Sequence, residues 1–408
     1  MSSRYLIVGG GGAAASAIEG IRAHDRDGAI TLVSRDNHLP YRRPLLSRDL
    51  WFGRATLDDL ALHDEAWYRE RGVELMLRRE AVELDTERRL VWDDRGAEHG
   101  YEKLLLATGS RARLLDAPGS ALEGVHYFRS LEDCLFLEER ASRVRHALVV
   151  GGGFIAMELS AALRHRGLDV TLLLPEEYPL RRLLPRDLGL HLASAYRARG
   201  IEVISGETVV AIEEHSGALV ARTPGGNYVD TELMLVGAGV VPHDELAEAS
   251  GLEVDMGIEV DEFARTSDAN VYAAGDVAEF PCPPLQRRMR CEHWRHALEH
   301  GYAAGANMAG ANLPYDAVPA FDSAFFEHAW EGVGELDASS VVEEVWDETF
   351  HRGVLFYLRD EVVRGVLLWN RPGLVEWARG LVREGRPTTV EERAKAIPRA
   401  QAEALAGR

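Results

Sequence analysis

The sequence predicts an α/β chain with two parallel-sheet domains, followed by a C-terminal α+β domain that carries an antiparallel sheet. Three observations predict this fold class. An apolar run, a glycine cluster and an alanine-rich helical segment occur in that order at residues 5–14 and again at 148–156. A second apolar run follows each copy, at 29–33 and 169–174. From about Leu313 the pattern changes to closely spaced strand-like runs.

The remaining elements follow from the same patterns. Apolar runs of strand type that end in glycine-containing turns extend the two parallel sheets, and they lie at residues 103–107, 233–236 and 271–274. In the C-terminal region, apolar runs predict antiparallel strands at 341–345, 354–358 and 362–369. The last two strands are joined by a tight turn at Asp360 and Glu361. An amphipathic helix is predicted at 374–382.

Composition and charge exclude several classes of protein. The 408 residues are 27% charged and 46% hydrophobic, which excludes a disordered, collagen-like or disulfide-stapled chain. The 46 basic and 66 acidic side chains give a formal net charge of −20, which argues against binding to nucleic acid or to an anionic membrane surface. Apart from Lys103 and Lys395, all basic residues other than histidine are arginine.

The number and spacing of the cysteines indicate a reducing compartment. Cys134, Cys282 and Cys291 are widely spaced and form neither a C-x-x-C nor a metal-ligand pattern. A sparse, odd set of this kind is typical of a reducing cytosol. We therefore expect a cytoplasmic protein without a membrane span.

The glycine clusters point to nucleotide binding. The spacings Gly9-x-Gly11-x-x-Ala14 and Gly151-x-Gly153-x-x-Ala156 both match G-x-G-x-x-G/A. In that motif the first glycine makes a tight turn, the second lets the backbone approach a pyrophosphate, and the third small residue lets helix pack on strand. One copy is a weak signal, but two copies between strand and helix predict two dinucleotides whose reactive rings meet.

An acidic residue about 20 positions beyond each loop is expected to bind a ribose hydroxyl. After the first loop the candidate is Asp36. After the second loop the usual position is apolar, and Glu176 lies two residues further on. A carboxylate there would favour NADH over NADPH, whereas the nearby Arg181 and Arg182 keep NADPH open. Solvated loop charges are the alternative interpretation of Glu176.

Residues 39–51, Leu-Pro-Tyr-Arg-Arg-Pro-Leu-Leu-Ser-Arg-Asp-Leu-Trp, carry a specific resemblance. They resemble a segment of FAD reductases of the ferredoxin-reductase type, and the ending at 49–52 looks most like the apoptosis-inducing factor branch. Segments across nearly the whole chain agree in the same order, at residues 106–109, 128–130, 151–158, 236–242, 272–276, 287–297, 353–360 and 366–370.

The resemblance implies a division of the chain. Residues 1–111 and 240–312 would form an interrupted Rossmann-like FAD domain, and residues 112–239 an inserted Rossmann-like NAD(P) domain. Residues 313–408 would form the C-terminal α+β domain. The implied cofactors are FAD and NAD(H), with NADP(H) not excluded.

The resemblance also implies the residues that contact the cofactors. For FAD they are, together with the ribose candidate Asp36 from the motif, Gly9, Gly11, Gly12, Arg43, Arg48, the backbone near Val82, Ala107, Thr108, Gly109, Arg129, Gly275, Asp276, Glu292 and His293. For the nicotinamide dinucleotide they are Gly151, Gly153, Phe154, Ile155, Glu158, Glu176, Arg182 and Gly239. The catalytic set would be Arg48, Glu158, His293 and Phe154.

Glu158 is the most informative acid. It follows the second glycine loop by one helical turn within an apolar stretch, where an unpaired carboxylate is costly. The resemblance pairs it with a cation beside the flavin, and Arg48 stands at that place, where relatives usually have lysine. A simple buried ion pair is the alternative. Asp322 replaces an aromatic residue of the family pattern.

Two further sets of residues bear on other kinds of chemistry. His293, His296 and His300 have helical spacing but no matching fourth ligand, so we expect no metal site. The absence of a redox cysteine pair excludes the glutathione- and thioredoxin-reductase type of mechanism.

The resemblance implies an FAD-dependent NAD(P)H oxidoreductase in which hydride passes directly to the flavin and electrons leave to a small molecule such as a quinone, or to a carrier protein. One alternative is a ferredoxin or rubredoxin reductase. The net charge of −20 works against docking an acidic carrier, unless a local cluster such as Arg287, Arg288 and Arg290 provides the surface. The other is an NADH-gated binding protein that forms a homodimer.

Overall fold

The computed structural model describes residues 2–215 and 217–397. They form two compact units. The first unit comprises the described residues up to Arg42, together with Leu57–Arg111 and Val241–Phe321. The second comprises Arg43–Thr56, Ala112–Val240 and the described residues from Asp322 onward. Within the described stretches, no helix is both long and apolar enough to span a lipid bilayer.

A seven-stranded sheet organises the first unit. Its strands are β1 (Ser2–Val8), β2 (Ile30–Ser34), β3 (Val73–Leu77), β4 (Ala81–Asp85), β5 (Leu90–Asp93), β6 (Glu98–Leu106) and β18 (Val271–Ala273). The order is β3-β2-β1-β6-β5-β4, and β18 also pairs with β6. β1, β2, β3, β6 and β18 run parallel, whereas β4, β5 and β6 form an antiparallel meander. Tyr5–Val8 of β1, all of β2 and β18, and Leu104–Leu106 of β6 are buried, as expected for the centre of a sheet that is covered on both faces. The edge strand β3 fully buries only Val73.

The first unit also contains four helices and a separate three-stranded sheet. The helices of the first unit are α1 (Gly12–His24), α2 (Glu65–Glu70), α6 (Glu245–Ala249) and α7 (Trp294–Met308). The small sheet consists of β17 (Ile258–Glu259), β19 (Ala278–Cys282) and β20 (Arg287–Arg290). α1 and α7 pack closely through alanine and glycine faces, which brings the start of α7 beside the first glycine loop.

The second unit repeats the parallel plan with five strands in the order β11-β10-β9-β15-β8. They are β8 (Val125–Tyr127), β9 (His146–Val150), β10 (Asp169–Leu174), β11 (Ile201–Ser205) and β15 (Leu233–Val236). The helices are α3 (Leu131–Ala141), α4 (Phe154–His165) and α5 (Arg186–Ala198). An antiparallel meander follows β11, with β12 (Ala211–His215), β13 (Ala218–Arg222) and β14 (Tyr228–Thr231). Two short strands, β7 (Ser110–Ala112) and β16 (Val240–Pro242), contain the positions at which the chain passes from one unit to the other.

The C-terminal region forms a five-stranded sheet in the order β21-β22-β25-β24-β23. Its strands are β21 (Ala320–Phe325), β22 (His328–Gly334), β23 (Val341–Glu348), β24 (Arg352–Arg359) and β25 (Val362–Trp369). The turn between β24 and β25 has positive φ at both Asp360 (52°) and Glu361 (63°), the backbone of a two-residue hairpin turn. Helix α8 (Val375–Glu384) packs on β22 and β25, and residues 390–397 are also helical.

These elements confirm the predicted fold class of two parallel α/β sheets and a C-terminal α+β region with an antiparallel sheet. The C-terminal strands and their turn lie where the sequence places them. The sequence patterns missed β3–β5, β7, β8, β11–β14, β16, β17 and β19–β22. Several of these strands are short or carry exposed polar residues, as β12 does with its Glu-Glu-His ending, so their alternation is weak.

Candidate functional site

The first glycine loop leaves an open space in front of helix α1. Gly9 has φ of +133°, and a Cβ there would lie 2.1 Å from the Ala107 carbonyl oxygen, so only glycine fits. Gly11 is the N-cap of α1 and offers no side chain to its free amides. A Cβ on Gly11 would meet no atom within 4 Å. This cradle, with an uncapped helix N-terminus behind it, fits a pyrophosphate.

The second loop repeats this geometry in the second unit. Gly151 has φ of +128°, and a Cβ there would lie 2.4 Å from the Gly237 carbonyl oxygen. Gly153 is the N-cap of α4 without a side-chain capping bond, and a Cβ on it would again meet nothing within 4 Å. The chain therefore holds two equivalent cradles, one in each unit.

Carboxylates lie near both cradles. The Asp36 amide donates to the Ser34 hydroxyl (3.1 Å), and the Asp36 carboxylate accepts the His38 amide (3.1 Å), which fixes the loop after β2. In the second unit, Glu176 places Oε2 2.9 Å from where a Cβ of Gly152 would be. This oxygen is buried and has no hydrogen-bond donor among the described residues. An unsatisfied buried acceptor at a nucleotide loop fits a ribose hydroxyl donor.

The other predicted FAD contacts of the first unit fall into two groups. In one, the Thr108 hydroxyl donates to the His243 carbonyl (2.6 Å) and the His243 amide donates to the Gly109 carbonyl (2.9 Å). This group directly follows Ala107 at the end of β6. The other group surrounds Asp276.

Asp276 follows Gly275 in a one-turn 3-10 helix, and its carboxylate accepts the Ser110 hydroxyl at 2.7 Å. Arg290 connects this turn to the start of α7, because its guanidinium donates to the Asp276 carbonyl (3.2 Å) and pairs with Glu292 (2.6 Å). His293 is the N-cap of α7. Its ring stacks on Phe321 with a centroid distance of 4.3 Å.

Four further predicted FAD contacts lie outside these two groups. Gly12 begins α1, and a Cβ there would lie 2.7 Å from the Trp294 ring of α7. In the second unit, the Arg43 guanidinium donates to the Arg129 carbonyl at 2.8 Å, so these two predicted contacts are neighbours. Val82 lies on the edge strand β4, and its side chain is 56% exposed.

Glu158 lies at the centre of a polar cluster in the second unit. It is 6% exposed, and both of its oxygens accept serine hydroxyls, from Ser47 at 2.5 Å and Ser323 at 2.6 Å. Arg48 Nε lies 3.9 Å from Glu158 Oε1, whereas Arg48 Nη1 donates to Asp322 at 2.8 Å. Burial raises the pKa of Glu158 above its ordinary value, although Arg48 and the two serines act in the opposite direction.

The sequence paired Arg48 with Glu158, and the structure places them at ion-pair distance but gives the shorter bond to Asp322. The sequence reasoning missed Ser47 and Ser323 as partners of Glu158. No local signal marks them, because the three segments meet only through the fold.

The remaining predicted nicotinamide contacts lie around the second cradle. The Phe154 ring packs against Trp330 of β22 with a centroid distance of 5.1 Å, and Ile155 follows it on α4. Gly239 is exposed with φ of +92°, and its carbonyl accepts the Arg113 amide at 2.9 Å. The Arg182 side chain is exposed, and its carbonyl accepts the Ala338 amide.

The three cysteines are buried. All of them lie in the described part of the chain, and none forms a disulfide there. Burial raises the pKa of Cys134 to about 12 and raises the pKa of Cys291 further. Thiols held protonated in this way are poor nucleophiles.

The histidines on α7 separate into two environments. His293 lies at the helix start, whereas His296 and His300 are fully buried against Phe280 and Tyr315. His296 Nδ1 bonds the Tyr315 hydroxyl at 3.0 Å. Neither ring nitrogen of His300 has a hydrogen-bond partner among the described residues, and burial lowers the pKa of His300 to about 3.

His300 predicts how stability depends on pH. The unfolded chain binds the extra proton near pH 6.5, and the folded chain only near pH 3. The free energy of unfolding should therefore fall as the pH drops from 6.5 towards 3, by up to about 5 kcal/mol. Denaturant titrations should show that His300→Phe flattens this slope, whereas His215→Gln, at an exposed histidine, leaves it unchanged. Equal slopes in wild type and His300→Phe would refute this assignment.

Comparisons with known proteins agree with this geometry. Residues 3–301 match the family described as "Pyridine nucleotide-disulphide oxidoreductase". The chain belongs to this family. Residues 337–384 also match the family described as "Apoptosis-inducing factor, mitochondrion-associated, C-term". As a pyridine nucleotide-disulphide oxidoreductase family member, the chain is an FAD-dependent oxidoreductase that uses FAD and NAD(H).

Family members with named activities are similar over most of their length. The ferredoxin–NAD(+) reductase component of the anthranilate 1,2-dioxygenase system of Burkholderia cepacia is 36% identical over 317 residues, covering 77% of this chain and 78% of the relative. A ferredoxin reductase structure from Rhodopseudomonas palustris has a TM-score of 0.90 at 28% identity, covering 96% of both chains. The covalent putidaredoxin reductase–putidaredoxin complex contains a chain with a TM-score of 0.90 at 27% identity, covering 99% of this chain and 98% of that one.

Proposed function

We propose that the chain is an NADH-dependent reductase of a small one-electron carrier protein of the ferredoxin or rubredoxin type. The observation that carries this proposal is the likeness, over 96% or more of the chain, to a ferredoxin reductase and to a chain of the putidaredoxin reductase–putidaredoxin complex. The buried cysteines support it, because electrons must then leave the flavin without a thiol intermediate.

The proposal assigns each unit a cofactor. The first cradle, with Asp36, Thr108 and Asp276, would hold FAD. The second cradle, with Phe154 and Glu176, would hold the nicotinamide dinucleotide. We retain the domain bounds 1–111, 112–239, 240–312 and 313–408 as part of the proposal. The compact units differ from these bounds in two places, because residues 43–56 group with the second unit and residues 313–321 with the first.

When bound, FAD supplies the chemistry that couples two-electron donors to one-electron acceptors. The chain supplies positioning: uncapped helix N-termini and backbone amides for two pyrophosphates, and carboxylates for the ribose hydroxyls. The Glu158 cluster supplies a fixed polar environment in the second unit. Proximity and alignment therefore carry most of the rate enhancement.

Two arginines of the cluster that the sequence suggests as a docking surface form ion pairs within the first unit. Arg288 pairs with Glu279 (3.4 Å) and Glu259 (3.7 Å), and it also donates to two carbonyls. Arg290 pairs with Glu292. Both guanidiniums are already compensated by carboxylates, so we expect them to add little attraction for an acidic carrier. The net charge of −20 does not decide the matter, because docking depends on local charge.

Glu176 predicts a preference for NADH. Its unpartnered oxygen would accept a ribose hydroxyl and repel a 2′-phosphate. Glu176→Ala should raise the KM for NADH about tenfold and reduce the NADH-to-NADPH ratio of kcat/KM by about tenfold or more, the scale of one lost charged hydrogen bond. Glu177→Ala is the matched control, because Glu177 is exposed and bonds Arg186. Equal ratios in the two variants would contradict the assignment.

Transfer to a carrier tests the proposal directly. The protein, reduced anaerobically with NADH, is mixed with an oxidised bacterial [2Fe–2S] ferredoxin, with a rubredoxin and with a soluble quinone, each over a series of salt concentrations. We expect at least one carrier to be reduced faster than the quinone. Rapid reduction of the quinone alone, at every salt concentration, would overturn the proposal in favour of a small-molecule acceptor.

Size-exclusion chromatography with and without NADH tests the predicted NADH-dependent homodimer.

A further inference from the structure

The Glu158 cluster brings two carboxyl groups close to the same guanidinium. Arg48 is the cation that faces two carboxyl groups, Glu158 and Asp322. Its guanidinium donates to Asp322 at 2.8 Å and to the Pro44 carbonyl at 3.2 Å, whereas its nearest approach to Glu158 is 3.9 Å, beyond hydrogen-bond distance. One guanidinium cannot neutralise both groups, and its direct bond goes to Asp322.

The two carboxyl groups differ in their access to water. The side chain of Asp322 is 41% exposed, and that of Glu158 is 7% exposed. A charge on Asp322 is solvated and hydrogen bonded, whereas a charge on Glu158 is removed from water and compensated only at a distance. A negative charge is therefore more costly on Glu158 than on Asp322.

The hydroxyls around Glu158 accommodate either protonation state. Ser47 and Ser323 lie 2.5 and 2.6 Å from its two oxygens. A serine hydroxyl donates to a carboxylate but also accepts from a carboxylic acid, so a proton on Glu158 loses no hydrogen bond. Tyr196 of α5 is a further titratable group beside Glu158, and its hydroxyl donates to the Met157 carbonyl at 3.0 Å. Burial raises the pKa of Tyr196 well above its ordinary value, so it stays neutral.

We infer that Asp322 is a positioning residue that draws Arg48 away from Glu158 and so leaves Glu158 holding a proton at neutral pH. Asp322 acts in two ways. It binds the guanidinium that would otherwise neutralise Glu158, and its own negative charge opposes a second charge nearby. Burial and the charge of Asp322 both raise the pKa of Glu158, which agrees with the geometry.

This assignment gives the cluster a protonatable carboxyl without a permanent charge. In a lysine–glutamate pair both residues are charged. Here Arg48 is paired with the exposed carboxylate of Asp322, which carries the negative charge, and Glu158 is neutral. The inference concerns this chain's own residues and needs no electron acceptor. Its failure would leave the proposed carrier reductase untouched.

Infrared spectroscopy of the FAD-loaded protein tests the inference, because a protonated carboxylic acid has a carbonyl band that a carboxylate lacks. We expect such a band in the wild type at neutral pH and its loss in Glu158→Gln. Asp322→Asn should lower the proton affinity of Glu158 at least tenfold, so that the band disappears at neutral pH and returns at lower pH. Asp169→Asn is the matched control, since Asp169 is exposed and pairs with Arg164, and it should leave the band unchanged.

Two results would overturn the inference: identical neutral-pH carbonyl regions in wild type and Glu158→Gln, or an unchanged band in Asp322→Asn. Circular dichroism and bound FAD must first match the wild type. If Asp322→Asn fails this check, Asp322→Ser serves in its place with the same expected loss. The pH midpoint of the band is the decisive readout, because a purely structural role of Asp322 would not move it.

Discussion

Gly11→Val is expected to give a folded protein that no longer binds FAD. A Cβ on Gly11 meets no protein atom within 4 Å, so the side chain enters only the open space before α1. The backbone of Gly11 is extended, with φ of −98° and ψ of −172°, which valine adopts easily. The same space is where a pyrophosphate would approach the helix amides, so the substitution blocks the cofactor and not the fold.

The measurement compares bound flavin with folding. Purified Gly11→Val should lack the visible flavin absorbance, lose more than 100-fold in FAD affinity, and keep the circular dichroism of the apoprotein. Gly380→Val is the control, because a Cβ on Gly380 of α8 also meets nothing within 4 Å and lies far along the chain from either cradle. Gly9 is unsuitable, since its Cβ would collide with the Ala107 carbonyl and disturb the fold itself. Normal FAD content in Gly11→Val would show that the first cradle is not the flavin site.

Gly153→Val is expected to separate the two cofactors. Gly153 stands before α4 as Gly11 stands before α1, and a Cβ on it likewise meets nothing within 4 Å. The variant should therefore remain yellow, because the first cradle is intact, but NADH should reduce its flavin at least 100-fold more slowly at subsaturating concentration.

Anaerobic stopped-flow reduction over a range of NADH concentrations checks this expectation. The loss should appear mainly in the apparent affinity for NADH, because the substitution obstructs the dinucleotide and leaves the flavin in place. Reduction by dithionite should be unchanged, which shows that the flavin is still competent. A variant that has lost FAD but still binds NADH would mean that the two cradles are assigned in the wrong order.

The features that could be predicted from the sequence are those encoded by short local patterns. Both glycine loops, the parallel strands that precede them and the C-terminal hairpin at Asp360 and Glu361 are encoded by residues that are close in the chain. Each of these features follows from backbone sterics or from apolar periodicity. For this reason the fold class was predictable, and the resemblance at residues 39–51 agreed with the family found by comparison.

The Glu158 cluster was predictable only in part. Its position on α4 showed that the carboxyl would be buried and would need a partner. Ser47 and Ser323 are separated from Glu158 by 111 and 165 residues, and nothing near them in sequence marks a hydroxyl that faces a carboxyl. Asp322 was noticed as a departure from the family pattern, but its bond to Arg48 emerges only when the three segments are folded together.

The arginine cluster of β20 is a feature that is visible in the sequence but whose environment is not. In sequence, Arg287, Arg288 and Arg290 form a dense positive patch that is typical of a docking surface. In the fold, Arg288 and Arg290 are paired with glutamates of neighbouring segments. Charge density along the chain does not reveal which charges are already neutralised, because the compensating residues come from elsewhere.

Anaerobic titration of the purified protein with NADH tests the central claim of an FAD-dependent NADH oxidoreductase most directly. We expect a yellow protein with equimolar FAD, whose flavin absorbance is bleached by an equimolar amount of NADH and restored by an oxidised one-electron acceptor. A colourless protein that takes up no FAD, or a bound flavin that NADH does not reduce, would contradict the account.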